Sequence, residues 1–149
     1  MVEYSVELQE RCLKFLDRSE AETMLMAMTT VTYPAGTKIS QKGDPADCLY
    51  FILSGRVAVQ NKTGFGERTQ VVAMLDPGAP VGEKGLLEDR VRGAGLTAIK
   101  DSELLVLSQR SFDKLAIESP VLAIKLLKWL LNRVSLRLEK NSERLTQVL

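Results

Sequence analysis

The chain has 149 residues, with 20 Lys and Arg against 19 Asp and Glu for a formal net charge of +1. A chain of this length buries about 68–70% of its unfolded surface in one core, so a single domain over residues 1–149 is expected, with too little net charge to gather a polyanion such as DNA. Histidine is absent, which removes the usual zinc and iron ligands, the Ser-His-Asp and Cys-His nucleophile arrangements and the ordinary neutral-pH proton shuttle; the sequence reads as that of a protein that is not an enzyme.

The first thirty residues carry apolar positions at helical spacing, Leu8, Cys12, Phe15 and Leu16, then Ala21, Met24, Leu25 and Met28 beyond a break at Asp17-Arg18-Ser19. Two short helices are expected, with Met24, Met26, Ala27 and Met28 as core filling. Cys12 and Cys48 have no metal-like spacing and sit among apolar neighbours, so both are expected to be buried, inert thiols without a function. No secretory segment and no run of about 18 apolar residues is present, and a soluble, cytoplasmic protein without a membrane anchor is expected.

From residue 31 to residue 108 the texture changes to short β-branched and apolar runs: Val31–Tyr33, Lys38–Ser40, Leu49–Leu53, Arg56–Gln60, Gln70–Leu75, Leu96–Ile99 and Glu103–Leu107. Turn chemistry separates them at Pro34-Ala35-Gly36, Lys42-Gly43-Asp44-Pro45, Ser54-Gly55, Asn61–Glu67 and Asp76-Pro77-Gly78. That rhythm belongs to an antiparallel sandwich or barrel.

Helical spacing returns over residues 109–149, first at Phe112, Leu115, Ala116 and Ile117, then from Ser119-Pro120, an N-cap residue followed by proline at the first helical position. Ile124, Leu127, Leu131, Val134, Leu138, Asn141, Leu145 and Val148 follow in alternating steps of three and four, the a/d seam of a coiled coil with one polar interruption at Asn141. A second row, Leu122, Trp129 and Leu136, lies roughly opposite, so this helix needs two apolar surroundings: its own β domain and a partner helix. Running to about residue 145, it would span about 38 Å, longer than so small a β domain, and a homodimer through the seam is expected.

The segment between the apparent strands ending at Val81 and starting at Gly93 carries the chemistry: Gly82-Glu83-Lys84-Gly85-Leu86-Leu87-Glu88-Asp89-Arg90-Val91-Arg92-Gly93-Ala94-Gly95. Its glycines let the backbone approach a ligand, a short helical turn at Lys84–Leu87 offers N–H groups, and an arginine can bind an anion bidentately. A carboxylate such as Glu83 would repel a phosphate, so it is assigned to a neighbouring hydroxyl. Phosphate plus hydroxyl describes a nucleotide-like ligand.

This stretch resembles the phosphate-binding cassette of the cyclic nucleotide-binding domain family, of the catabolite-activator and kinase-regulatory-subunit type. The matching residues are Val81-Gly82-Glu83 and, nine positions beyond Glu83, Val91-Arg92-Gly93-Ala94-Gly95. They are framed by Pro34-x-Gly36-x-x-Ile39-x-x-x-Gly43-Asp44, Asp47-x-x-Tyr50-Phe51-Ile52-x-x-Gly55-x-Val57-x-Val59 and Leu75-x-Pro77-Gly78-x-x-x-Gly82-Glu83. The resemblance extends from about Leu13 to Arg144 and implies an eight-stranded antiparallel β-roll (31–108) between N-terminal helices (1–30) and a long C-terminal dimerisation helix (within 109–149). It implies that Arg92 pairs with the phosphate, Glu83 accepts the ribose 2′-hydroxyl, and backbone around Gly82, Gly93 and Ala94 completes a cradle, with Lys84, Gly85, Leu86 and Gly95 as further ligand-binding positions. Arg137 and Leu138 align with positions that face the base in bacterial transcription factors of the family; neither is the small hydroxyl residue usual there.

Three departures from the family pattern have consequences. Lys84 stands where an apolar residue is usual, Val91 replaces the proline before the arginine, and Gly95 replaces a Thr or Ser, which favours cyclic AMP over cyclic GMP. The expected function is therefore a cyclic nucleotide-sensing regulatory domain that needs no metal or other cofactor and acts on an effector protein the sequence does not identify. The alternative is a ligand-independent assembly or protein-interaction module with a vestigial pocket. A cupin-like metalloenzyme fails for want of histidines. The sequence stops at Leu149 without a helix-turn-helix, so direct DNA reading is not expected.

Overall fold

The computed structural model describes residues 2–62 and 68–148, the last of these by its backbone alone. Ser5 caps α1 (Val6–Cys12) by accepting the Leu8 N–H, and Asp17 caps α2 (Arg18–Met26) in a capping box with Glu20. The break at Asp17-Arg18-Ser19 is thus a helix start. Ala21, Met24, Leu25 and Met28 are buried as expected, whereas Met26 points outward.

Eight strands follow: β1 (Thr29–Tyr33), β2 (Lys38–Ser40), β3 (Cys48–Ser54), β4 (Val57–Lys62), β5 (Thr69–Leu75), β6 (Pro80–Val81), β7 (Gly95–Ala98) and β8 (Ser102–Ser108). They form two four-stranded antiparallel sheets, ordered β1-β8-β3-β6 and β2-β7-β4-β5. This is the mainly β roll with flanking helices that the resemblance implied. Strand β3 shows how the two halves of the core meet. Its alternate residues Cys48, Tyr50 and Ile52 face the inside of the roll with Val57, Leu96 and Leu104, while Leu49 and Phe51 face the helices with Leu105 and Leu107. With both faces covered, the strand reads as a continuous apolar run.

Most strand ends differ from the sequence reading by a residue or two, and the differences beside the cassette matter for the site. β6, the strand expected to end at Val81, is only two residues long, opposite Tyr50 and Phe51. β7 begins at Gly95, because the chain before it is tied to the Gly43-Asp44-Pro45 turn: the Arg92 N–H donates to the Asp44 carbonyl (2.8 Å), the Gly43 N–H to the Arg92 carbonyl (2.9 Å) and the Ala46 N–H to the Arg90 carbonyl (2.9 Å). Of the turn expected at Asn61–Glu67, Asn61 and Lys62 belong to β4, and 63–67 lie outside the described residues.

Ser108 caps α3 (Gln109–Glu118), and Pro120 opens α4 (Pro120–Val148), the long helix read from the heptads. The stripe it buries on its own core is wider than the expected row. Leu122, Ala123, Leu126 and Leu130 are buried, and Trp129 stacks on Phe15 (centroids 4.5 Å) and Phe51 (5.6 Å). Leu136, the third member of that row, is half exposed at the mouth of the roll. Lys125 pairs with Glu20 and pins the helix to α2. The seam residues Ile124, Leu127, Leu131 and Leu138 stay exposed, at 49%, 44%, 65% and 62%, whereas Val134 and Asn141, expected on the same seam, lie in the lining of the cavity at the mouth of the roll, because the helix turns that side of its C-terminal half toward the sheet.

Candidate functional site

Between Val81 and β7 the chain makes a 3-10 turn at Glu83–Leu86, one residue earlier than expected, then a loop in which Asp89 takes a left-handed φ of 53°. The Gly85 N–H donates to the Gly82 carbonyl at 2.8 Å, so that donor serves the turn itself. Gly82 starts the turn at φ 79°, a conformation glycine adopts without strain, and a Cβ there would lie 2.2 Å from the Arg92 guanidinium. Gly85 packs so closely on β3 that a Cβ would lie 1.9 Å from the Cys48 carbonyl oxygen.

Arg92 is only 5% exposed and is the one buried charged side chain among the described residues. Its Nη1 donates to the Gly82 carbonyl at 3.2 Å, its Nη2 to the Cys48 carbonyl at 2.8 Å, and Nη2 also lies 3.4 Å from Cys48 Sγ. The guanidinium sits 5.4 Å from the centre of the Tyr50 ring. No carboxylate within salt-bridge distance balances it among the described residues. Of the five N–H donors of a guanidinium, these three contacts leave two. A buried cation held only by carbonyls, a thiol and a ring is costly until an anion joins it. Burial pushes the Cys48 thiol and the Tyr50 hydroxyl up from their ordinary pKa values, so both face Arg92 in neutral form and neither neutralises it.

Above Arg92 opens a cavity of about 690 Å³ between the cassette, the apolar inner face of the roll at Val59, Leu75 and Leu96, and the C-terminal half of α4. Of the expected ligand-binding residues, Gly82, Glu83, Lys84, Arg92, Gly93, Ala94 and Arg137 line it together. Arg137 Nη2 donates to Glu83 Oε1 at 2.5 Å, joining the helix to the cassette. The Lys84 ammonium lies over Gly93, where a Cβ would meet Nζ at 3.1 Å.

Four expected positions do not reach the cavity. Gly85 and Leu86 are buried against β3 and the helix-side core, Gly95 is taken up in the ladder opposite Gln60, and Leu138 faces outward on the seam. The sequence reading missed Cys48 and Tyr50, which present a carbonyl and a ring face to Arg92 from one side of β3; their i, i+2 spacing on a strand was the available signal. It also missed Arg133, Lys140 and Arg144, which flank Arg137 along the cavity wall at helical spacing. Among the described residues no helix is long and apolar enough to cross a membrane, and no cluster of acidic or thiol side chains could hold a metal ion.

Comparison with known proteins agrees with this geometry. The chain is 33% identical over 105 residues to the cAMP-dependent protein kinase regulatory subunit of Dictyostelium discoideum, covering 69% of this chain and 32% of that protein. It is 34% identical over 102 residues to the cyclic AMP receptor protein of Thermus thermophilus, covering 68% and 47%. The chain thus spans about a third and about half of the lengths of these two curated relatives. Its fold superposes on a cyclic nucleotide-binding domain from Methylobacillus flagellatus with a TM-score of 0.80 at 26% identity, over 87% of this chain and 72% of that one. The sequence profile of the cyclic nucleotide-binding domain matches residues 30–119, a span that contains the cassette, Glu83 and Arg92, and the chain belongs to that family.

Proposed function

We propose that residues 1–149 act as one non-catalytic, cytoplasmic sensing unit that binds cyclic AMP in preference to cyclic GMP and signals through a homodimer formed by the α4 seam. The observation that carries the reading is Arg92, a buried guanidinium with no counter-ion and two N–H donors to spare among the described residues, at the base of the cavity. A cyclic phosphate supplies the missing charge and accepts those donors in a charge-assisted contact. The backbone at Gly82, Gly93 and Ala94 lies close enough to approach it, and the Lys84 ammonium adds a second positive group. Glu83 accepts the ribose 2′-hydroxyl, for which Arg137 must share or release its carboxylate. The base rests on the apolar wall of the roll at Val59, Leu75 and Leu96, and the preference for cyclic AMP draws on the cyclic AMP named for the two curated relatives, since Gly95 lies in the ladder outside the cavity.

Ligand contact with α4 gives the signal. A ligand that touches the helix in one docking and not in another shifts the balance between them. The effector, and any further parts of a longer protein, are reached through that helix. The competing reading, a ligand-independent assembly module, draws on the Glu83–Arg137 pair, which already satisfies the ribose-binding carboxylate.

Calorimetric titration of nucleotide-stripped protein separates the two. Cyclic AMP is expected to bind at micromolar or better affinity and more tightly than cyclic GMP. Arg92→Ala is expected to weaken it by about 1.5–3 kcal/mol, or roughly 10- to 100-fold, and Glu83→Ala by less. No heat of binding at millimolar cyclic AMP, from protein whose folding is verified, would overturn the sensor reading.

A further inference from the structure

The cavity holds far more positive charge than one cyclic phosphate needs. Lys84, Arg92, Arg133, Arg137, Lys140 and Arg144 line it against a single carboxylate, Glu83, which Arg137 already holds. Four of these cations lie on α4 at steps of four, three and four residues, one stripe of the helix. Like charges at that spacing repel along the helix, a standing cost that a bound anion removes.

Among the described residues no carboxylate neutralises the far end of the stripe. Arg133 lies over the Trp129 ring at 5.1 Å, but Lys140 and Arg144 have no ion-pair partner among the described residues. The nearby helix carboxylates Glu139 and Glu143 lie off the cavity lining. In a parallel pairing of two α4 seams, Arg137 and Arg144 fall at g positions, and the e positions that a partner helix would bring are Lys128, Ser135 and Ser142. A partner therefore brings no carboxylate either. The stretch of α4 that lines the cavity runs from Leu130 to Arg144, about 21 Å of helix at 1.5 Å per residue, longer than a single nucleotide reaches.

We propose that Arg133, Lys140 and Arg144 form a second anion subsite and that the cavity prefers a nucleotide carrying two separate phosphates, one at Arg92 and one at the α4 stripe, over a cyclic mononucleotide. The inference rests on the cyclic nucleotide reading of the same cavity and names the ligand class within it. Its chemistry is the second phosphate, which a cyclic or a linear dinucleotide can supply.

The test is a calorimetric titration of the nucleotide-stripped full chain with cyclic AMP, cyclic di-AMP and the linear dinucleotide pApA, which share one base. A two-phosphate ligand is expected to bind roughly tenfold or more tighter than cyclic AMP at low ionic strength, with the advantage shrinking as salt rises. A preference for cyclic di-AMP alone assigns the subsite to the cyclic form, and equal gains for both ligands assign it to any paired phosphates. The double substitution of Lys140→Gln with Arg144→Gln, both exposed side chains, should erase the advantage and leave cyclic AMP affinity within about threefold. Equal affinity for one- and two-phosphate ligands, or an advantage that survives the double substitution, overturns the second subsite while the cyclic nucleotide reading stands. Failure of all three ligands to bind overturns both.

Discussion

Arg92 and Gly85 show how tightly the cassette is tied to the strand beneath it. Both touch Cys48: the guanidinium takes its carbonyl, and Gly85 lies where any side chain would strike that same oxygen at 1.9 Å. Gly85→Ala is therefore expected to push the turn off β3 and displace the Gly82 carbonyl from Arg92, an overpacking cost of about 1–3 kcal/mol. A lower midpoint of denaturant unfolding together with weaker cyclic AMP binding would show it. Gly93→Ala is the control. Its Cβ would meet only the flexible end of Lys84, so stability within about 0.5 kcal/mol of the parent is expected. Equal stability of the two variants would refute the assignment of Gly85 to backbone packing.

Helix α4 has two apolar sides, and the structure separates them. Leu122, Leu126, Trp129 and Leu130 cover α3, α2 and β3, while Ile124, Leu127, Leu131 and Leu138 form an exposed row that none of the described residues buries. The proposed homodimer would cover this row with the matching row of a second copy. Leu131→Glu combined with Leu138→Glu is expected to give a monomer with an unchanged β-sheet signature by circular dichroism. Sedimentation that finds the unmodified chain monomeric at high concentration would remove the proposed dimer. Val148 ends the helix, and its side chain lies outside the described residues.

Across the whole molecule, the same helix touches the core through Trp129, the cavity through Arg133 and Arg137, and the outside through the seam. Ligand binding and helix docking are therefore expected to be coupled. Trp129 is the one tryptophan of the chain, stacked on Phe15 and Phe51 with Arg133 over it. Its fluorescence is expected to change on adding cyclic AMP, with the midpoint found by calorimetry. Because a coupling free energy acts equally in both directions, the monomeric seam variant must bind cyclic AMP with altered affinity. Unchanged affinity would show that the domain binds its ligand without signalling through the dimer.

The sequence by itself determined what depends on local spacing. Turn residues and β-branched runs marked most of the strands, Ser119-Pro120 marked the start of α4, and the three-four steps marked its outer row. The cassette was legible because Gly82, Glu83 and Arg92 lie within one short segment. Contacts between distant segments were not legible. Nothing near Arg92 in the chain indicates that its guanidinium turns inward onto Cys48 and Tyr50, or that Arg137 closes on Glu83, since those partners are 44, 42 and 54 positions away. Nor could spacing alone exclude Gly85, Leu86 and Gly95 from the cavity wall. Which residues of a glycine-rich turn face a ligand depends on how the turn is laid against β3, and only the packing of the two sheets decides that.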